Sequence, residues 1–275
     1  MSAARKLVSA GEIFDFARFE MMCTEASGRY RQAFPFPHTS IDQFLKPDVA
    51  TEAFQKFPSL AEMEQLKDMR QAKAQDPGLQ KFDPIFKTLI FDVFNSSRFI
   101  SGIETLTGVK GLMPDDELYA AGLAQGGDGS YLNIHIDNSS HPTKALYRRV
   151  NLIVYLNKNW NESKGGHIEF WDSAVKKCDA ILPAFNRAAI FTVSQQSWHG
   201  YRRVNTPDGD TRKSINLYYF TKESPTGEHY YHVTSFRARP GEWFNRIRYP
   251  VDNWVRSTSR ILRRKKDSHA TLYRK

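Results

Sequence analysis

One short stretch decides how the chain is interpreted: Tyr131-Leu132-Asn133-Ile134-His135-Ile136-Asp137. Its polar and apolar residues alternate, which is the signature of a β-strand with two different faces. Successive side chains of a strand point to opposite sides, so His135 and Asp137 share one face, with Asn133 beside them. An imidazole and a carboxylate therefore converge. Taken alone, the pair is better explained as an ordinary histidine followed by a turn-forming aspartate.

Short apolar runs separated by Gly, Asp and Asn clusters surround this strand. Their spacing, with almost no helical periodicity between them, predicts a β-sandwich, barrel or jelly roll. The predicted strands are Leu118–Ala124, Tyr131–Ile136, Val150–Leu156, His167–Trp171, Ala188–Val193 and Ile215–Thr221.

The chain divides into three regions by the texture of its sequence. Residues 1–115 are predicted to be a helical support region packed on the core, with helices over 12–34, in the second half of 38–57, over 60–75 and over 84–105. Residues 116–222 form the β core, and residues 223–275 form an irregular and basic extension. We expect a single catalytic domain overall, mainly β with supporting helices.

Composition limits the class of protein. The 275 residues are 40% hydrophobic, enough to fill a core, and no apolar run approaches the ~20 residues of a membrane span. The amino-terminal stretch lacks the apolar segment of a signal peptide, so we expect a cytoplasmic protein. Two cysteines, Cys23 and Cys178, cannot build a disulfide framework or a cysteine zinc cluster.

The net charge of +9 lies entirely in the tail. Residues 237–275 hold twelve Lys/Arg and three Asp/Glu, while residues 1–236 hold 27 of each. The neutral body argues against a nucleic-acid-binding domain, although the tail could contact an acidic partner, nucleic acid or an anionic membrane. Apolar residues at helical spacing between Trp254 and Leu262 predict a helix, and we expect this helix to pack on the domain.

Two further residues change the interpretation of the His135–Asp137 pair. His199 lies 62 residues after Asp137, at the end of a predicted strand, and Arg212 opens the next one. Two imidazoles and one carboxylate form the facial triad of non-haem Fe(II) oxygenases, although zinc could use the same donors. Arg212 favours iron, because a guanidinium can bind the far carboxylate of a dicarboxylate whose near end chelates the metal.

These residues resemble the 2-oxoglutarate and Fe(II)-dependent dioxygenases of the prolyl 4-hydroxylase and hypoxia-sensor prolyl hydroxylase type. The resemblance covers residues 131–221. It is carried by the H-x-D-N sequence at 135–138, the strand RRVNLIVYLNKNW at 148–160, GGHIEF at 165–170, the Trp198-His199 strand end, and RKSI at 212–215.

The resemblance implies a double-stranded β-helix (jelly roll, cupin-like) core with iron bound by His135, Asp137 and His199. It also implies that Arg212 and the Tyr155 hydroxyl hold the 2-oxoglutarate C5 carboxylate. Strand parity makes Asn133 and Asn216 further candidates for contacts with the co-substrate or the ligands. His141, in the loop after the triad strand, is expected to be solvated.

The expected reaction is hydroxylation of an aliphatic C–H bond with release of succinate and CO2. Fe(II), 2-oxoglutarate and O2 are the implied cofactor and co-substrates, with ascorbate as a further candidate. The substrate is a small molecule, a peptide or a protein, and we expect a prolyl residue, a free amino acid or a natural-product intermediate. Two alternatives stay open: desaturation or cyclisation on the same fold, and a non-enzymatic jelly-roll binding module with a structural metal.

Overall fold

The computed structural model describes residues 10–76, 82–229 and 231–266, and only the backbone of 256–266. Its helices are α1 (Ala10–Ile13), α2 (Phe16–Gln32), α3 (Pro47–Gln55), α4 (Pro84–Lys87), α5 (Ser97–Thr107) and α6 (Trp243–Lys266), with a π-helical segment at Thr88–Phe94. The strands are β1 (His38–Asp42), β2 (Glu64–Lys67), β3 (Gln71–Asp76), β4 (Gly122–Gly126), β5 (Tyr131–Ile136), β6 (Tyr147–Tyr155), β7 (Ile168–Trp171), β8 (Cys178–Ile181), β9 (Arg187–Thr192), β10 (Trp198–Tyr201), β11 (Arg212–Thr221) and β12 (Ser235–Phe236).

The strands form a nearly closed, barrel-like jelly roll. Their order along the sheet is β1-β9-β6-β11-β4-β3-β5-β10-β7-β8, with β12 added to β5 and β2 to β3. The strand pairs are antiparallel throughout the described residues. Neighbours such as β6 and β11 are distant in sequence, so long-range pairing builds the site.

The two faces of β6 and β11 have different roles, as the alternation of their sequences predicts. Val150, Leu152 and Val154 of β6 are fully buried, and they belong to the large core cluster that also contains residues of the amino-terminal helices. Asn151 and Tyr155 alternate with them. The outward face of the sheet thus packs on helices, while the other face lines the interior of the barrel.

The amino-terminal helices pack on the barrel mainly through phenylalanine rings. Phe14 makes edge-to-face contacts with Phe19, Phe44 and Phe99 at centroid distances of 5.5–5.6 Å. Phe19 and Phe99 stack at 4.4 Å, where α2 crosses α5. This aromatic cluster fixes the helical layer on one side of the sheet.

The prediction of a helix over residues 60–75 is wrong. A short 3₁₀ turn at Leu60–Glu62 is followed by the hairpin β2–β3, and β3 pairs with both β4 and β5. Helix propensity is overridden here because β3 fills the gap between two core strands and satisfies their backbone groups. The helix predicted over 84–105 is also divided, into α4, the π-helical segment and α5.

The carboxy-terminal segment differs from its prediction as well. The predicted helix exists as α6, but Trp254 and Val255, two of the apolar residues on which the prediction rested, are exposed rather than packed on the domain. The helix contacts the body instead through Tyr249, which is fully buried, and through Asn253, which bonds to β12. In the described part of the chain, we find no helix with the length and apolar character to cross a membrane.

Candidate active site

His135, Asp137 and His199 meet at the junction of β5 and β10. His135 lies directly opposite His199 in the β5–β10 ladder, and Asp137 follows the end of β5. The His135 and His199 Nε2 atoms each lie 3.6 Å from a different oxygen of Asp137. One donor atom from each residue falls within 4.8 Å of the others, and all three side chains are buried. The structure therefore brings together the three residues that the sequence nominated.

Hydrogen bonds fix the tautomer of both imidazoles. His135 Nδ1 lies 2.9 Å from the Asn133 carbonyl oxygen, and His199 Nδ1 lies 2.8 Å from that of Ser197. A carbonyl only accepts, so each Nδ1 carries the proton and each Nε2 offers its lone pair to the centre of the cluster. Burial, followed by the neighbouring His135, lowers the pKa of His199 to about 3, which keeps this lone pair available.

Asp137 is held as a carboxylate by groups that the sequence analysis did not single out. Its Oδ2 accepts a 2.8 Å hydrogen bond from Asn151 Nδ2 and lies 3.2 Å from Arg148 Nη2. Burial alone would raise the pKa of this carboxyl, but Arg148 and the two imidazoles hold it well below its usual value. Two neutral imidazoles and one carboxylate fit a divalent metal such as Fe(II).

A β-bulge explains why Arg148 was missed. Strict alternation along β6 would put Arg148 on the face opposite Asn151. The register of β6 against β11 shifts so that Tyr219 faces Val150 and Phe220 faces Arg148, which leaves Arg149 as the extra residue. The extra residue reverses the alternation, so Arg148 points inward with Asn151, and its Nε donates to Asn151 Oδ1 at 3.0 Å.

A second group of residues, whose types could also ligate a metal, forms ion pairs instead. His141 is buried, contrary to the expectation of a solvated loop residue, and its Nε2 lies 3.3 Å from Asp115. Its Nδ1 accepts from the backbone N–H of Thr143 and of Lys144, so Nε2 carries the proton and faces the carboxylate. The Lys144 ammonium, 3.2 Å from Asp115 Oδ1, already occupies the position of a cation. This cluster is an ion-pair network rather than a metal site.

Arg212 and Tyr155 meet deeper in the same interior. Arg212 Nη2 donates to the Tyr155 hydroxyl at 3.1 Å, and Arg212 Nε donates to the Gly166 carbonyl at 2.7 Å. The Arg212 guanidinium also lies 4.2 Å from the Tyr201 ring centroid. No carboxylate of the described residues pairs with Arg212, although its side chain is buried. A buried guanidinium without an acid needs an anion from outside the chain.

Gly166 makes room for this arginine. Its φ is +68°, and a Cβ added there would come within 3.0 Å of Arg212 Cδ and of Val204 Cγ2. Glycine is therefore required at this turn by both conformation and space.

Two unsatisfied polar atoms point to a ligand next to Arg212. Ser214 Oγ and Asn216 Oδ1 are buried and have no hydrogen-bond partner in the described structure. Both residues alternate with Ile215 on β11, on the same face as Arg212. Buried polar atoms are normally satisfied, so a polar ligand in this position would complete them.

The side chain of Asn133, which strand parity had made a candidate contact of the co-substrate or the ligands, is directed to other partners. It contacts Tyr249 of α6, the Met69 carbonyl and Arg239, and only the main-chain carbonyl of Asn133 supports His135.

The triad and Arg212 line one cavity of about 420 Å³. This volume suits a small organic acid together with part of a second substrate. Lys73 and Gln75, from the hairpin that sequence analysis assigned to a helix, also line it. Lys73 Nζ donates to Gln75 Oε1 at 2.7 Å, and no ion pair joins it to a carboxylate of the described residues. Burial, together with Arg212 and Arg148 and against the opposing effect of Asp137, lowers the pKa of Lys73 to about 8.

Comparison with protein families gives one match. Residues 121–220 match the model of the 2OG-Fe(II) oxygenase superfamily. This range begins just before β4 and ends within β11, so it contains the triad, Tyr155 and Arg212. The comparison with curated protein sequences finds no match.

Solved structures show the same fold. A Trichoplax adhaerens prolyl hydroxylase, in complex with a hypoxia inducible factor oxygen degradation domain peptide fragment, is 22% identical with a TM-score of 0.54; the match covers 76% of this chain and 93% of that one. A Phytophthora capsici prolyl 4-hydroxylase is 16% identical with a TM-score of 0.56, covering 90% and 77%. A Pseudomonas putida prolyl-4-hydroxylase is 14% identical with a TM-score of 0.50, covering 73% and 99%.

The comparisons confirm the predicted double-stranded β-helix core and the resemblance to 2-oxoglutarate/Fe(II)-dependent dioxygenases of prolyl 4-hydroxylase type. They also confirm the prediction of an oxidoreductase that uses Fe(II), 2-oxoglutarate and O2.

Proposed function

We propose that the 2-oxoglutarate/Fe(II)-dependent dioxygenase identified through residues 121–220 hydroxylates an aliphatic C–H bond of a small molecule or peptide, with release of succinate and CO2. The observation that supports this most strongly is the pair of Nε2 lone pairs facing one ionised carboxylate, in a cavity that also contains a guanidinium with no described acid beside it. Bound Fe(II), together with 2-oxoglutarate and O2, supplies the oxidation that the amino-acid side chains cannot perform.

Each side chain has a role that follows from its contacts. His135, Asp137 and His199 would hold the metal, while Asn151 and Arg148 orient Asp137 by contacting its Oδ2. The aromatic rings of Phe191 and Phe236 lie 4.7 Å from His199 and 5.4 Å from His135, and they shield the ligands from water.

Arg212 and the Tyr155 hydroxyl would bind the far carboxylate of 2-oxoglutarate. The guanidinium stays fixed by its bond to Gly166 and keeps further N–H groups for the ligand. Ser214 and Asn216 line the same face and supply polar atoms for the co-substrate. A requirement for ascorbate and a cytoplasmic location stay predictions.

The charge of the cavity favours a substrate with a free carboxylate. Asp137 pairs with Arg148, and Arg70 pairs with Asp68 and Asp252. Asp137 and one carboxylate of 2-oxoglutarate would balance the two positive charges of Fe(II), and the other carboxylate would balance Arg212, so Arg148 and Lys73 leave the cavity with an excess of positive charge. A free amino or other organic acid would supply a balancing negative charge, whereas the amide groups of an internal prolyl residue would not.

The reaction is tested with anaerobically purified protein loaded with Fe(II), by measuring succinate formed from 2-oxoglutarate. We expect His135→Ala and His199→Ala to abolish turnover. Arg212→Ala should raise the 2-oxoglutarate KM by about two orders of magnitude or more, because roughly 3–5 kcal/mol is lost when a buried ion pair is broken. His167→Ala and Arg203→Ala are matched controls outside the cavity and should keep turnover. Wild-type turnover by either triad variant would contradict the metal assignment.

The substrate class is tested with free L-amino acids, their carboxamides and prolyl peptides. We expect only acids to stimulate succinate formation and to gain an oxygen atom. A product that lost two hydrogens instead would indicate desaturation or cyclisation. Lys73→Met should raise the KM of the acid substrate and leave the 2-oxoglutarate KM unchanged. If the 2-oxoglutarate KM rises as in Arg212→Ala, Lys73 belongs to the co-substrate site.

A further inference from the structure

Helix α6 packs on the body through its polar side. Tyr249 is fully buried, and its hydroxyl accepts a hydrogen bond from Asn133. Asn253 makes a reciprocal pair of bonds of 2.8 and 2.9 Å with the backbone of Phe236 in β12. Asp252 lies 3.4 Å from Arg70. These three neighbouring positions define the face of α6 that is turned toward the barrel.

The apolar side of α6 is turned to solvent. Trp243, Phe244, Ile247, Val251 and Val255 have exposed fractions of 72%, 59%, 69%, 58% and 51%. With 3.6 residues per turn, these five positions fall on the arc opposite Tyr249. We call this set the apolar stripe. Monomeric proteins seldom leave such a contiguous patch exposed without a partner for it.

Positive charge is concentrated on the same helix. Residues 243–266 contain eight Lys/Arg against one acid, Asp252, whose carboxylate pairs with Arg70 of the body. Residues 1–236, by contrast, are neutral. A helix that combines an aromatic and aliphatic stripe with many arginines has the composition of helices that lie in the interface of a lipid bilayer.

We propose that α6 docks the protein on an anionic membrane surface, with the apolar stripe inserted at the boundary of headgroups and acyl chains. The apolar stripe and the positive charge of α6 then each have a partner, since the apolar side chains enter the bilayer and the arginines meet anionic headgroups. Nucleic acid would satisfy the charge but leave the stripe in water. A second copy would cover the stripe but bring two strongly basic helices together. In the cytoplasm, where we expect the protein, the membrane surface that α6 would meet is the cytoplasmic leaflet, which carries negative charge.

The proposal is tested by co-sedimentation of the full-length protein with vesicles. We expect binding to phosphatidylcholine/phosphatidylglycerol vesicles, weaker by about tenfold or more on phosphatidylcholine alone, and weaker as salt rises. Binding should shift tryptophan fluorescence to the blue, because Trp243 and Trp254 are 72% and 69% exposed whereas Trp160, Trp171 and Trp198 are already buried.

A matched pair of variants identifies the surface. Ile247→Glu should lower binding to the mixed vesicles by about tenfold or more, since it puts a charge in place of an aliphatic side chain that would enter the bilayer. Met21→Glu makes the same change of charge at an exposed apolar residue of α2, 55% exposed, and should bind like the wild type. Circular dichroism and turnover in solution verify that both variants fold.

Three outcomes would overturn the proposal. They are no binding to the mixed vesicles, equal binding to both vesicle types, and equal loss in the two variants. A wild-type dimer that Ile247→Glu converts to a monomer, without vesicle binding, would assign the stripe to a second copy. An absence of both dimer and vesicle binding would also overturn the proposal and would direct the search to an acidic protein partner.

Discussion

Single residues decide how the metal ligands are oriented. Asn151 Nδ2 donates to Asp137 Oδ2, and Arg148 reaches the same oxygen while its guanidinium lies 3.3 Å from the Tyr218 ring centroid. Asp137 is therefore positioned by an amide and a cation, neither of which forms a hydrogen bond with Arg212. Outer contacts of this kind commonly contribute to metal affinity by orienting the ligands.

Asn151→Leu should weaken Fe(II) binding by about 10–100-fold, the usual effect of losing such a contact. The 2-oxoglutarate KM at saturating metal should change little, because Asn151 does not contact Arg212. Isothermal titration with Mn(II) or Fe(II) under anaerobic conditions measures the affinity. Asn205→Leu, at an exposed position, is the control, and an unchanged metal affinity in Asn151→Leu would show that Asp137 is oriented without it.

The charge on Lys73 destabilises the native state by an amount that depends on pH. Its folded pKa of about 8 lies below its usual value of 10.5, because burial and the nearby arginines disfavour its charge. Between pH 8 and pH 10.5 this lysine is therefore protonated in the unfolded chain but neutral in the native state. The charged lysine destabilises the native state most below pH 8 and not at all above pH 10.5.

Lys73→Met should raise the free energy of unfolding by roughly 1–3 kcal/mol at pH 7, and the gain should disappear as the pH rises toward 10.5. Urea unfolding at several pH values measures the gain. Lys67→Met, an exposed lysine of the same hairpin, should leave the stability unchanged. A stability gain in Lys73→Met that does not vary with pH would attribute the effect to packing rather than to charge.

At the scale of elements, the pairing of β5 with β10 places the two histidines opposite each other. The register shifts between His199 and Tyr201, which face His135 and Leu132. Gly200 lies within this irregular step, and a Cβ there would meet the Leu132 carbonyl oxygen at 2.7 Å and the Asn133 carbonyl oxygen at 2.9 Å. Both obstacles are backbone atoms of β5, so the strands would have to separate.

Gly200→Ala should therefore lower the free energy of unfolding by roughly 1–3 kcal/mol and weaken metal binding, since His135 and His199 move apart. Thermal unfolding of the metal-free protein and metal titration measure the two effects. Gly28→Ala, in the middle of α2 with nothing within 4 Å of the added Cβ, should instead stabilise by about 0.5–1 kcal/mol. A Gly200→Ala protein with wild-type stability and metal affinity would show that β5 and β10 can separate without cost.

At the scale of the whole molecule, a buried ion network joins the carboxy-terminal segment to the barrel. Glu169 of β7 is buried and accepts from Arg239 Nε at 2.9 Å, and Arg202 approaches its other oxygen. Arg239 Nη1 also donates to Asn133 Oδ1 at 3.0 Å. The segment that carries α6 is thus tied to the strand that carries His135.

Arg239→Ala should destabilise the protein by about 1–3 kcal/mol, less than the roughly 3–5 kcal/mol typical of a broken buried pair, because Arg202 still neutralises Glu169. Limited proteolysis should cut the segment before α6 faster in this variant. Arg246→Ala, an exposed arginine of α6, should leave both the stability and the cleavage rate unchanged. Equal proteolysis of the two variants would mean that Tyr249 and Asn253 hold α6 without the network.

The sequence predicted the β architecture and, from residue types and spacing, nominated His135, Asp137, His199 and Arg212. The resemblance to a known family supplied the role of Tyr155. Alternation within β5, β6 and β11 agrees with this choice, because it fixes which residues share the face that becomes the interior of a closed barrel. The charge of the tail and its amphipathic helix are likewise properties of neighbouring residues.

Tertiary structure alone decided the surroundings of the site. Arg148 enters the interior because one extra residue in β6 reverses the alternation. Lys73 enters because residues 71–76 pair with strands far along the chain rather than forming a helix. His141 is buried because Asp115, Tyr119 and Phe220 meet it from other segments. The apolar stripe of α6 faces solvent because Tyr249, Asp252 and Asn253 find partners on the barrel. Each of these outcomes depends on contacts between segments distant in sequence, and a local pattern carries no information about such contacts.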